Sequence, residues 1–256
     1  MEKFLIIKNI FNKLSLDNGT VVLGILSLLT GYFKEFAIII YLIVMHEVGH
    51  CLFATFFKKN VYKITIYPFG GESITDANMN FDIKKELIIL IMGPLFQFIF
   101  ANLLILISHS IDQKGLIKNI NNAILIFNLM PIYPLDGGKI INNILNINFN
   151  IKTSFKLSII ISYVIILLFF IYFRNSFSFT IVYMIIFLNY KIYKECREYK
   201  YNYNNFLLDR YLNKYHFKDN KIVENNKMFY RNKYNLVKKN NKYYTESDIL
   251  TKTFCK

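Results

Sequence analysis

The sequence predicts an all-α polytopic membrane protein: about six transmembrane helices, one of them broken, a short membrane-associated β-hairpin, and a small cytoplasmic C-terminal region. Three observations predict it. Hydrophobic residues make up 54% of the 256 residues and charged ones 19%, against about 45–50% and about 25% in soluble domains. The apolar residues gather into runs that are apolar on every side, and two runs reach the about 20 residues a helix needs to cross hydrocarbon. The charges are segregated: residues 191–256 hold 16 of the 31 Lys and Arg but 7 of the 17 Asp and Glu. This composition excludes intrinsic disorder, and three Cys exclude a disulfide scaffold.

Taken in order, Met1–Phe33 has a basic start and an apolar stretch, but Asp17-Asn18-Gly19 separates them and no small-residue cleavage site follows. It reads as a retained first helix over Val21–Phe33, extending back toward Leu14. Phe36–Phe57 and Leu87–Ser108 are full crossings; the second is followed by a polar stretch, His109–Lys118. Between them Val61–Phe69 alternates and is rich in β-branched and aromatic residues, so it reads as a strand with Gly70-Gly71 as the turn of a hairpin near the membrane. Ile120–Leu145 is apolar but interrupted by Pro131, Pro134, Gly137 and Gly138, through which no straight helix runs. Broken backbone at membrane depth is tolerated where it lines a cavity or is buried in protein, so the break reads as functional. Leu157–Phe173 and Phe177–Tyr190 are shorter crossings, extended by aromatics at the interface. The chain divides into a membrane domain, 1–195, and a basic tail, 196–256, where Phe206, Leu207, Tyr211, Leu212 and Tyr215 have helical spacing.

Six crossings place both termini on one side, together with 27 of the basic side chains; Lys34, Lys114, Lys118 and Arg174 are left on the other. The positive-inside rule puts the richer side in the cytoplasm. The charge is therefore a topology signal. No nucleic-acid motif accompanies it, and no nucleic acid is expected as a partner.

The sharpest local signal is His46-Glu47-Val48-Gly49-His50. Two His four residues apart share one helix face and can hold one Zn²⁺, and the Glu beside the first can act as general base. His46 lies about ten residues from either end of its span, roughly 15 Å, where ionisable groups are costly and functional. Catalytic zinc needs a third protein ligand. Most carboxylates of the body lie in loops or termini; Asp136 lies inside the Pro/Gly break, which can carry it into the bundle interior. Asp136 is the best third ligand, its other reading being a helix cap. Cys51 sits about 100° round the helix from His50 and reads as packing.

HEVGH within a membrane helix, followed about 80 residues later by Asn128-Leu-Met-Pro131-Ile-Tyr-Pro134-Leu-Asp136-Gly137-Gly138, resembles the site-2 protease family of intramembrane zinc metalloproteases (peptidase family M50). Pro68-Phe69-Gly70-Gly71 and Gly93-Pro94 resemble it too, over about residues 15–195, in the short form without a PDZ insertion. The resemblance implies His46, His50 and Asp136 as zinc ligands, Glu47 as catalytic base, and Asn128 as a residue orienting the substrate or the oxyanion. Phe69, Gly70, Gly71, Pro131 and Pro134 are the candidate substrate-binding residues. Many relatives carry Asn three residues after the Gly-Pro pair, where this chain has Gln97, which leaves the role of that amide open. A helix must unwind before its carbonyls can be attacked, so the hairpin is expected to hold the substrate by strand addition.

The expected activity is regulated intramembrane proteolysis by a zinc metalloendopeptidase. The resemblance implies a membrane-associated pro-sigma factor as substrate during sporulation, inhibitory membrane partners, and a place on the mother-cell side of the forespore membrane. Two other readings stand beside it: a site-2-type protease acting on anti-sigma factors or signal-peptide remnants, and a non-catalytic zinc-binding scaffold, which would have no need of Glu47. The tail reads as a possible degenerate CBS-like unit, on Tyr243–Leu250, and could contact nucleotide or anionic lipid.

Overall fold

The computed structural model describes residues 12–67, 70–75, 79–172, 179–213, 215, 217, 219–225, 228–239 and 242–254. The chain divides into two compact units, residues 1–76 with 87–129, and residues 77–86 with 130–256.

The first unit opens with strand β1 (Leu14–Leu16), then helices α1 (Asn18–Thr30) and α2 (Phe33–Phe56). Helix α1 does not extend back to Leu14 as expected. Asp17 caps it, its side chain accepting from Gly19 N at 2.9 Å, and the residues before the cap pair as a strand. β1 lies parallel to β2 (Val61–Tyr67), with Leu14 opposite Ile64, and β2 is antiparallel to β3 (Gly70–Thr75). Thr20 ties α1 to the sheet through Oγ1, which donates to the Ile66 carbonyl at 2.8 Å. The expected hairpin is therefore present, as part of a three-stranded sheet. Its glycines are not the turn: Gly70 and Gly71 are the first residues of β3, opposite Tyr67 and Ile66. The unit continues along α3 (Ile83–Ile107), whose first turn lies on the boundary between the units, and ends with α4 (Ile111–Leu129). α4 begins within the stretch expected to be a polar connection, with Ser110 Oγ accepting from Gln113 N.

The second unit holds α5 (Asp136–Asn148), α6 (Ile151–Tyr172), α7 (Phe179–Leu212), strands β4 (Asn220–Val223), β5 (Tyr234–Lys239) and β6 (Lys242–Tyr244), and α8 (Glu246–Phe254). α7 is one continuous helix of 34 residues, so residue 195 falls inside it. β4 is parallel to β5, and β5 antiparallel to β6. Phe206 and Leu207, from the expected helical stretch, form a core with Val223, Phe229, Val237 and Leu250. Arg210 is buried beside that core. It pairs with Glu246, donates to Asn80 Oδ1 at 2.7 Å, and lies over the Phe206 and Phe217 rings. A buried guanidinium is tolerated when its donors are met in this way.

Three helices of the described residues are long and apolar enough to cross a membrane: α2, α3 and α6. On α3, Ile91, Leu95, Phe98 and Leu103 are exposed, and on α6 Val164, Leu167, Leu168 and Ile171. Apolar surface of this extent is incompatible with water and suits lipid. The other three expected crossings fall on α1, on α4 with the break that follows it, and on the first part of α7, none of which is long and apolar throughout.

Candidate metal centre

His46 and His50 are buried on α2, one helical turn apart, at 3% and 7% exposure. Their rings are fixed by α3. His46 Nδ1 lies 2.9 Å from Gln97 Oε1, and His50 Nδ1 lies 2.8 Å from the Ile89 carbonyl. Both partners are acceptors, so both Nδ1 atoms carry the proton. Gln97 is oriented by its own bonds: Nε2 donates to Asn121 Oδ1 at 3.0 Å and to the Asn121 carbonyl at 3.2 Å. The two Nε2 atoms lie 3.1 Å apart, and with the protons on Nδ1 each turns a lone pair toward the other.

That separation tests the fit to zinc. Two nitrogens at bonds of about 2.0–2.1 Å to a tetrahedral ion lie about 3.3 Å apart, close to the spacing found. Converging lone pairs in a buried site suit a divalent cation, and a carbonyl on the far nitrogen is the usual support of a metal-bound imidazole.

Glycines make the room. A Cβ on Gly93 of α3 would strike the His50 ring, 2.8 Å from Cδ2 and nearer still to Nε2. One on Gly49 would lie 2.5 Å from the Met92 carbonyl. The two helices touch backbone to backbone here, as small residues allow in membranes. Pro94 follows Gly93 inside α3 and cannot donate to the carbonyl four residues back; the carbonyl beside that one, of Ile89, is the acceptor for His50.

Glu47 is buried at 5% exposure. Strand β3 lies on it: a Cβ on Gly71 would fall 2.5 Å from Glu47 Cδ and 2.6 Å from Oε1. Gly71, expected as a substrate-binding residue, thus adjoins the candidate base. Gly70, its neighbour, has open space around it and φ of +149°. Phe69 lies outside the described residues. Cys51 is fully buried, in keeping with its packing role.

Asn128 is half-buried and is the second-last residue of α4. In the second unit, Asp136 is half-buried as the first residue of α5. Pro131 and Pro134 lie in the break before it, where Leu135 N donates to the Ile132 carbonyl at 2.8 Å and Tyr133 N to Ser162 Oγ at 2.7 Å. Gly138 lets the first turn of α5 fold onto this segment, since a Cβ there would lie 2.5 Å from the Ile132 carbonyl oxygen.

Sequence reasoning left Gln97 without a role and did not find Asn121 or the Ile89 carbonyl. The signal for Gln97 was its place, a lone amide midway along an apolar run.

Residues 35–124 match the family model described as peptidase family M50. The chain is 29% identical over 202 residues to stage IV sporulation protein FB of Bacillus subtilis, covering 75% of this chain and 69% of that protein. It is 34% identical over 116 residues to a zinc metalloprotease of Methanocaldococcus jannaschii, covering 41% of this chain and 32% of that one. Among solved structures, the site-2 protease of the same archaeon matches with a TM-score of 0.56 at 24% identity, over 71% of this chain and 89% of that chain, which is a likeness of fold. Residues 35–124 are thus similar to peptidase family M50, and these matches, together with the buried, zinc-spaced histidine pair, support a membrane-embedded metalloendopeptidase that takes zinc.

Proposed function

We propose that this chain cleaves a membrane-associated protein substrate, a pro-sigma factor processed during sporulation, and that six crossings hold both termini on the cytoplasmic, mother-cell side. The proposed zinc ligands are His46, His50 and Asp136, two imidazoles and a carboxylate, and the base is Glu47. The observation that carries the reading is the packing of Gly71 against Glu47 one residue from His46, which sets an extended strand beside a proton acceptor and a metal ligand. The likeness to stage IV sporulation protein FB over most of the chain supports the sporulation substrate.

Zinc, when bound, polarises the scissile carbonyl and lowers the pKa of water to about 7. The protein's own groups do the rest. The substrate strand adds to the outer edge of β3, where Gly70 and Gly71 carry no side chain to keep a second backbone away. Strand pairing replaces the hydrogen bonds that the substrate loses on unwinding. The Glu47 carboxylate takes the proton of the attacking water and returns it to the leaving amine. Asn128, at the end of α4, orients the carbonyl. Phe69, Pro131 and Pro134 are the further residues proposed to bind substrate. The basic tail meets the cytoplasmic part of the substrate, and inhibitory membrane proteins, nucleotide or anionic lipid act there.

The test is co-expression with a candidate pro-sigma factor. Wild type should shorten it and Glu47→Gln should not, with zinc content preserved. Cleavage by Glu47→Gln would refute the mechanism. Cleavage of anti-sigma factors or signal-peptide remnants with the pro-sigma factor left whole would refute the substrate while sparing the mechanism.

A further inference from the structure

Helix α5 decides where Asp136 stands, yet little in its own sequence fixes it. At 13 residues it has a length that is marginal for a lone helix in water. Gly137 and Gly138 fall in its first turn, where glycine is the poorest helix former after proline, and its N-cap, Leu135, has no side chain that can cap. Its placement must therefore come from groups outside it. α6 provides one, as Ser158 Oγ donates to Asn142 Oδ1 at 3.3 Å. The tail provides another, Arg231.

Arg231 is buried at 6% exposure. One terminal nitrogen donates to Asn143 Oδ1 of α5 at 2.8 Å and the other to the Phe81 carbonyl at 2.8 Å; the same guanidinium pairs with Glu86, in the first turn of α3. Asn143 is buried too, and its Nδ2 donates to the Lys139 carbonyl at 3.1 Å, so its amide is held in one orientation with Oδ1 toward Arg231. Residues 136 and 143 are seven apart, about two turns or about 10 Å, on one face of the helix. Arg231 thus holds the far end of the face that Asp136 occupies at the near end. A planar fork does this better than a point charge, because both donors are fixed by one orientation.

The tail in turn holds Arg231. Tyr230 N donates to Asn235 Oδ1 at 2.8 Å. Arg210 donates to the Tyr230 carbonyl at 3.1 Å and to the Arg231 carbonyl, and Asn235 Nδ2 donates at 2.8 Å to Glu246 Oε1, the oxygen paired with Arg210. The backbone at 230–231 is therefore fastened to α7 and α8, and its side chain starts from a fixed point. We propose that Arg231 is a positioning residue for the metal centre: the tail places its guanidinium, the guanidinium fixes α5 to the start of α3, and α5 fixes Asp136. The proposal rests on the reading of Asp136 as the third zinc ligand. It makes the tail part of the framework of the site, in addition to any contact with substrate.

The test uses the full chain in detergent micelles and two readouts: amide hydrogen exchange of α5 in metal-free protein, by mass spectrometry, and zinc affinity, by competition with a chelator. Arg231→Lys keeps the charge and loses the fork; Asn143→Leu keeps Arg231 and its pair with Glu86 and loses the acceptor on α5. Each should speed exchange over residues 136–148 about tenfold, with α2 unchanged, and lower zinc affinity about tenfold, as for other groups that orient metal ligands. Arg231→Lys combined with Asn143→Asp sets opposite charges face to face and should restore both readouts, which a loosened or unfolded tail would not allow. Unchanged exchange in α5, or no recovery in the charge-paired variant, would overturn the proposal. Faster exchange with unchanged zinc affinity would overturn it where Asp136→Asn loses zinc; where Asp136→Asn keeps zinc, the ligand reading of Asp136 has failed and Arg231 still holds α5.

Discussion

Replacing Gly71 by Ala tests the contact on which the site depends. The added methyl would lie 2.5 Å from Glu47 Cδ and 2.6 Å from Oε1, where ordinary contact begins at about 3.4 Å. Either β3 or the carboxylate must move by about 1 Å. β3 is held by its ladder to β2, whereas Glu47 is a side chain with rotatable bonds, so the carboxylate is what gives. A misplacement of about 1 Å in a catalytic group costs about 10²-fold in rate, or about 2.7 kcal/mol of barrier. The His pair lies on α2 and is fixed from α3, so zinc should be retained. The assay is single-turnover cleavage of a membrane-reconstituted reporter, with zinc measured on the same sample. A hundredfold lower rate with full zinc is expected. A rate within twofold of wild type would refute the placement of β3 on Glu47, and loss of zinc would show that the strand supports the metal site and not the base.

Removing the support of His46 in Gln97→Leu should lower zinc affinity about 10–100-fold, measured by competition with a chelator. Gly93→Ala should displace the His50 ring and yield protein lacking zinc but still folded, by metal analysis and circular dichroism. Asp136→Asn should lower zinc content if Asp136 is the third ligand; unchanged content would remove it from the set. In the tail, Thr245 and Asp248 cap α8 reciprocally, and the Thr245 hydroxyl and backbone N–H hold the Asp248 carboxyl below its usual value. A depressed folded pKa means stability present above about pH 4 and lost as pH falls through the folded value. Amide exchange in α8 should therefore accelerate on acidification, and Asp248→Asn should remove that dependence.

The residues that read most clearly from sequence were those whose chemistry is incompatible with their setting. His46, Glu47 and His50 stand in an apolar run, and Asp136 stands in a break no helix could cross. Such residues announce themselves because lipid makes them expensive. What supports them did not, because support is a relation between distant positions: His46 and Gln97 are 51 residues apart, and nothing local says that one amide faces one imidazole. The Ile89 carbonyl has no side-chain signature at all. Elsewhere a local rule was available and a weaker one prevailed. Asp17 before Asn18 is a helix-start signal, yet apolar continuity suggested a longer first helix. Thr245-Glu246-Ser247-Asp248 is a capping box of the kind that opens a helix. The first half of α7 beyond Tyr190 is polar on most faces, so its continuation to Leu212 could not be read from apolar periodicity until Phe206 and Leu207.

The geometry at Gln97 explains why an amide is kept in a helix that is otherwise apolar. An imidazole can ligate through Nε2 only if Nδ1 holds the proton, and Nδ1 holds it only beside an acceptor. For His50 the backbone provides the acceptor, at the carbonyl next to the one Pro94 leaves unmet. For His46 a side-chain oxygen provides it, and the nitrogen of that amide must then be satisfied within the same low-dielectric interior. Gln97 meets the first need and Asn121 the second. A leucine at position 97 would cost nothing in lipid compatibility and would leave His46 able to rotate or to change tautomer. The Gln97–Asn121 pair therefore fixes the orientation of the His46 ring from two other helices.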